Sequence, residues 1–154
     1  MKIVFPYEEK HSPLFHKIKR PIVEVYFWSK LISDWLRYKM IADTGADYTV
    51  LPRYYCVDLG FDLDRDCLRK QTVGVGGHET IYFLKEKARV KISNLEIKIP
   101  LGFLNSDNIP PLLGREECLN AFKIIFANFK TEVEWYTPLL SKCKGIIPNE
   151  ALLR

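Results

Sequence analysis

Apolar and polar positions alternate with a period of two along much of this chain, the spacing of a strand with one face on a core and the other in water. The clearest run places Leu84, Ala88, Val90 and Ile92 on one face and Lys85, Lys87, Arg89 and Lys91 on the other. It predicts the second arm of a long hairpin over 69–92, tipped by the glycine cluster Gly74, Val75, Gly76, Gly77. Upstream, Ile22, Val23, Val25, Tyr26, Phe27 and Trp28 form a β-branched and aromatic strand. It should pair with a second strand over 37–42 across a bulged or briefly helical link at 29–36. A short strand at 48–51 ends at Pro52, and a helical turn at 53–59 stops at Gly60. Leu95, Ile97, Ile99 and Leu101 lie in phase along one strand over 95–104. After a loop at 105–111, a short helix is expected over 115–122, with Glu116 and Glu117 in its first turn and Leu119 and Phe122 facing the core. Two strands, 123–129 and 131–135, close the pattern. The fold class is therefore all-β.

Length changes this picture by setting its scale: 154 residues make one domain with room for a real core. Residues 1–20 read as an N-terminal arm, opening with a possible strand at 2–5 stopped by Pro6 and then turning polar and basic. Residues 21–136 read as the core, and 137–154, with Pro138 and Pro148, as a tail. The formal charge of +4 is spread along the chain and calls for no nucleic acid. The basic row at 85–91 reads as a solvated sheet face, since alternation generates such rows wherever one side is wet. Cys56, Cys67, Cys118 and Cys143 form no Cys-x-x-Cys pair and have no histidine at ligand spacing, so free thiols and no metal are expected. His11, His16 and His78 read as solvated. The start of the chain lacks a signal-peptide core and no stretch reaches membrane-spanning length, so a reducing cytoplasm and no membrane partner are expected.

Candidate chemistry gathers at one place. An apolar run through Met40, Ile41 and Ala42 enters Asp43-Thr44-Gly45, and Ala46, Asp47, Tyr48, Thr49, Val50 and Leu51 leave it. Gly45 allows backbone angles that a Cβ forbids and Thr44 offers a local hydroxyl, so the turn can present the Asp43 carboxylate at the end of a strand. Apolar-apolar-Asp-Thr-Gly-Ala-Asp-x-Thr-Val-Leu resembles the active-site segment of the retropepsins, the retroviral-type aspartic proteases. Leu112-Leu113-Gly114-Arg115 resembles the apolar-apolar-Gly-Arg element that crosses beneath that loop, and residues 73–77 resemble a glycine-rich flap tip. The resemblance spans roughly 21–135.

It implies a closed, barrel-like sheet with a flap hairpin and one short C-terminal helix. It also implies a homodimer, because the chain holds one Asp-Thr-Gly and the chemistry needs two carboxylates. Asp43 from each subunit would share one proton, with Thr44 bonding across the interface and Gly45 admitting substrate. Asp47 and Arg115 would form a buried bidentate pair, and Gly114 would let the crossing segment pass. A peptide substrate would lie as an added strand against Ala46, Asp47, Gly74, Val75, Gly76 and Gly77, with Gly76 needing freedom of φ. No cofactor enters this scheme. His78 and Glu79 follow the tip where many retroviral flaps carry a large apolar residue. Two other readings compete: an inactive dimerisation or peptide-binding module on the same fold, and an α/β enzyme with Asp43 as a phosphate-accepting nucleophile. The second requires a strand–helix alternation that this chain lacks.

Overall fold

The computed structural model describes residues 1–74 and 76–135; Val75, Cys143 and the tail 137–154 lie outside them. Among the described residues, fourteen strands are distributed over three sheets. The largest is built from β4 (Ile22–Ser29), β5 (Asp34–Ala42), β6 (Thr49–Pro52), β7 (Cys67–Gly74), β8 (Gly77–Leu84), β9 (Ala88–Ile92), β10 (Leu95–Ile99), β11 (Leu101–Leu104) and β12 (Leu112–Leu113). Its order is β10-β9-β4-β5-β12-β6-β11-β8-β7, and it curls into a half-barrel whose terminal strands, β10 and β7, do not pair.

The alternation read from the sequence sets which face turns inward. Val23, Val25, Phe27, Met40, Leu51, Val90, Ile97, Ile99, Leu101, Phe103 and Leu113 are fully buried in one cluster. Each such side chain contributes roughly 1.5–3 kcal/mol relative to exposure. Two strands change partners where a break permits it. The strand expected over 95–104 splits at Pro100, so that β10 pairs with β9 while β11 lies parallel to β6 and antiparallel to β8. The hairpin expected over 69–92 ends at Leu84; β9 is a separate strand between β4 and β10.

The basic row is only partly solvated. The Arg89 guanidinium lies 4.7 Å from the Trp28 ring centre and donates to Glu96 at 2.8 Å, and the Lys91 ammonium lies 4.7 Å above Trp35. These cations cover aromatic rings of the neighbouring strands.

Other elements depart from the pattern. The N-terminal arm is itself β-structure. β1 (Lys2–Pro6) pairs with β14 (Lys130–Glu134), which also pairs with β13 (Lys123–Ala127), while β2 (Glu8–Ser12) and β3 (His16–Arg20) form a separate hairpin. Polar residues on both faces of that hairpin erase the alternation that would have announced it. The β4–β5 link shrinks to residues 30–33, with Ser33 in the left-handed region (φ 52°). Helix α1 spans Tyr55–Asp58 and is followed by Gly60 at φ +80°, where a Cβ would lie 2.6 Å from the Leu31 nitrogen. Helix α2 (Leu63–Asp66), unmarked by periodicity, is capped by Asp62, whose carboxylate accepts from Asp64 N–H and Arg65 N–H at 3.0 and 2.8 Å. The helix expected over 115–122 contracts to turns and a 3-10 turn at Leu119–Ala121, because Glu117 adopts a left-handed φ of 51° that ends any α-path.

Candidate active site

Strand β5 delivers Asp43 to the edge of the barrel, and β12 fixes it there. Leu112 and Leu113 run parallel to Ile41 and Ala42, while Leu112 also faces Val50 on the antiparallel side. The crossing segment thus lies between the two strands that enter and leave the Asp43 turn. Three backbone bonds tie the layers together: Asp43 N–H to Leu113 C=O (3.0 Å), Arg115 N–H to Ala46 C=O (3.0 Å) and Glu116 N–H to Asp47 C=O (2.7 Å). Gly114 N–H donates to the buried Thr49 hydroxyl at 3.2 Å. A Cβ on Gly114 would stand 2.2 Å from the Tyr48 carbonyl carbon and oxygen, so only glycine allows this crossing.

Within the turn, the half-buried Asp43 accepts from Gly45 N–H through Oδ1 at 2.9 Å, and Ala46 N–H donates to the Asp43 carbonyl at 3.2 Å. The carboxylate is therefore oriented by its own loop. A Cβ on Gly45 would lie 3.2 Å from that same oxygen. Thr44 is exposed. Asp47 and Arg115 meet through Arg115 Nη2 and Asp47 Oδ1 at 2.6 Å. Their side chains remain 73% and 46% exposed and share a single contact, which corrects the expected buried, two-bond pair. A wet, one-contact pair contributes little stability, typically below ~1 kcal/mol.

Facing the turn is a cavity of about 340 Å³ between Gly45, Ala46, Asp47 and Tyr48 on one side and the β7–β8 hairpin on the other. Gly74, Gly76, Gly77, His78 and Glu79 of the hairpin line it, while Val50, Ile81, Leu104 and Leu112 supply apolar wall. Asp43 is not among the lining residues; its carboxylate is bonded to the N–H of Gly45, which is. At the hairpin tip the positive φ recorded among the described residues is that of Gly77 (+107°), one position beyond the Gly76 of the expectation. Cβ atoms on Gly74, Gly76 or Gly77 would meet nothing within 4 Å. Val75 lies outside the described residues. Tyr48 and Thr72, both on the cavity wall, were not singled out by the sequence, and no pattern in it marks either residue.

The described thiols, Cys56, Cys67 and Cys118, are free and buried. Among the described residues no three His, Cys, Asp or Glu side chains gather as metal ligands would, and no helix is long and apolar enough to cross a membrane.

No protein-family model and no curated protein matches the sequence. Among solved structures, a retropepsin-like aspartic protease from Rickettsia conorii superposes with a TM-score of 0.59 at 18% identity, covering 86% of this chain and 98% of that one. The fold is thus that of the retropepsin-like acid proteases.

Proposed function

We propose that this chain is an aspartic endopeptidase that works as a homodimer, with Asp43 of each subunit meeting across a two-fold axis. The observation that carries the reading is the placement of Asp43: a carboxylate at the end of β5, aimed by Gly45 N–H at 2.9 Å and locked from beneath by Leu113 and Gly114, beside a cavity under a glycine-tipped hairpin. The neighbours Gly45, Ala46 and Asp47 line that cavity, which supports reading the turn as more than structural. Two carboxylates brought close cannot both ionise at moderate pH, so the pair holds one proton, and its titrations belong to the pair. The ionised member takes a proton from a water as that water attacks the peptide carbonyl. The protonated member donates a hydrogen bond to the carbonyl oxygen and stabilises its developing charge.

In the same reading the substrate lies extended between Ala46, Asp47 and the hairpin, which acts as a flap. Gly114 holds the layers in register, and Arg115 fixes Asp47 through a contact that dimerisation would dry and strengthen. The competing module without activity would keep the crossing segment but would not require Asp43. The deciding experiment incubates the purified chain and Asp43→Asn with a broad peptide library across pH, with and without a statine-type inhibitor. Cleavage that is inhibited by statine and lost in Asp43→Asn is expected; a library left intact at every pH would leave the binding module as the better reading.

A further inference from the structure

The turn that carries Asp43 is hydrogen-bonded to the β7–β8 hairpin at one point. Tyr48 Oη and Thr72 Oγ1 lie 3.2 Å apart, with either able to donate, and among the described residues this is the only hydrogen bond between 43–48 and 67–84. Both residues line the cavity.

The two ends of this bond differ in how firmly they are held. Tyr48 is fixed twice over. Its backbone packs against Gly114 so closely that a Cβ there would stand 2.2 Å away, and its ring meets Phe83 of β8, the strand of the hairpin that is itself held by β11, edge-on, with centroids 5.2 Å apart at 88°. Thr72 belongs to β7, the last strand of the sheet, which has β8 as its sole ladder partner. Thr72 also lies two residues before Gly74, where the hairpin loses neighbours. A rigid hydroxyl therefore reaches an edge strand near its free end.

We propose that Tyr48 is a positioning residue: its hydroxyl latches the first strand of the hairpin, through Thr72, over the cavity. The role deepens the endopeptidase reading and rests on it for its consequence, since a lid must close on substrate and reopen for product. A single neutral hydroxyl pair suits that need. It biases the hairpin toward the cavity by a small factor and breaks on each cycle, where a salt bridge or an apolar plug would hold it shut.

Hydrogen–deuterium exchange of the 69–74 amides in the full chain reads the latch without any activity. Tyr48→Phe and Thr72→Val should each speed exchange there roughly fivefold, the size of one neutral hydrogen bond. The double variant should exchange no faster than either single one, and Thr72→Ser, which keeps the hydroxyl, should retain wild-type protection. Thr72→Val sits on an edge strand and keeps the test available if Tyr48→Phe folds poorly. In peptide cleavage, both single variants should raise KM several-fold and leave kcat within about twofold. Unchanged exchange in both, or a double variant showing the product of the two effects, overturns the latch. Coupled exchange in a chain that cleaves no peptide supports the latch and removes the endopeptidase reading, so the two fail separately.

Discussion

At the scale of single residues, the site depends on what is missing more than on what is present. Gly45 and Gly114 have no Cβ, and the atoms that would be struck are Asp43 Oδ1 at 3.2 Å in one case and the Tyr48 carbonyl group at 2.2 Å in the other. The two glycines should therefore respond differently to alanine. At Gly45 a shift of a few tenths of an ångström in a partly exposed carboxylate relieves the contact, so stability should barely change while the carboxylate moves. At Gly114 the clash is with backbone that is itself hydrogen-bonded from Arg115 and Glu116 to the neighbouring residues, so the crossing segment must separate from the turn. Gly114→Ala should lower unfolding free energy by about 1–3 kcal/mol, as overpacking does, with Gly45→Ala within about 0.5. Urea melts of both variants check this, and equal midpoints would show that the crossing is looser than the geometry indicates. The sequence made this pair of positions visible because glycine beside an apolar pair and glycine after Asp-Thr carry their reason in their chemistry. Tyr48 was invisible because a tyrosine in a strand has an ordinary packing role, and only the 3.2 Å contact with Thr72 gives it another.

At the scale of elements, strands with one wet face were legible and polar or irregular ones were not. β9 and β10 follow from their alternation, β4 from its β-branched and aromatic residues, and the crossing segment at 112–115 from its resemblance to the retropepsin element. The β2–β3 hairpin escaped because Glu9, Lys10, Lys17 and Lys19 are exposed; the Lys17–Glu9 ion pair (2.9 Å) runs along it, and a Lys39–Glu8 pair ties it to β5. The expected helix at 115–122 failed for a local reason, the left-handed backbone at Glu117, which no periodicity foretells. The segment that replaces it carries a buried titratable group. Burial pushes the Cys118 thiol from its ordinary 9.0 up to about 12, against a smaller lowering by the Thr49 hydroxyl. Because the folded form holds the proton more tightly than the unfolded chain, this contribution is complete below pH 9 and is lost as pH rises toward 12. Tyr55, also pushed up to about 12, chiefly by burial, acts with the same sign from its ordinary 10.0. Urea midpoints should therefore fall between pH 8 and pH 10.5, and fall less in Cys118→Ala; parallel declines would show that the thiol is not involved. The hairpin gives a second test at this scale. Gly77 at the tip has φ of +107°, a conformation that a β-branched residue resists, although a Cβ there would meet nothing within 4 Å. Gly77→Val should lower the unfolding free energy by about 1–3 kcal/mol and reduce peptide turnover at least severalfold. Unchanged kinetics would make the hairpin a purely structural element.

At the scale of the whole molecule, the proposed chemistry makes a half-barrel with one Asp-Thr-Gly turn half of a catalytic centre, and that incompleteness can be measured. If the Asp43 pair is assembled from two chains, activity per chain must fall on dilution below the dimer dissociation constant, a dependence that a self-contained site lacks. Asp43→Asn should abolish cleavage, since an amide neither takes the proton of the attacking water nor serves as the acid. It should not unfold the chain: Asp43 holds its turn through Gly45 N–H to Oδ1 and through backbone bonds, and the asparagine carbonyl oxygen can accept the same N–H. Removing two close carboxylates also relieves their repulsion, so the variant dimer should be at least as stable as the parent. These two properties make Asp43→Asn a clean poison. After subunit exchange with an equal amount of variant, about half of the wild-type chains sit in mixed dimers holding one working carboxylate, so turnover should drop to about half of its starting value, and to about a quarter at a threefold excess. Turnover measured against dilution and against added variant should give both curves. Cleavage that stays proportional to wild-type chain in both series would mean that each subunit works alone, and the shared-proton pair would have to be abandoned while the fold and the Asp43 turn stood unchanged.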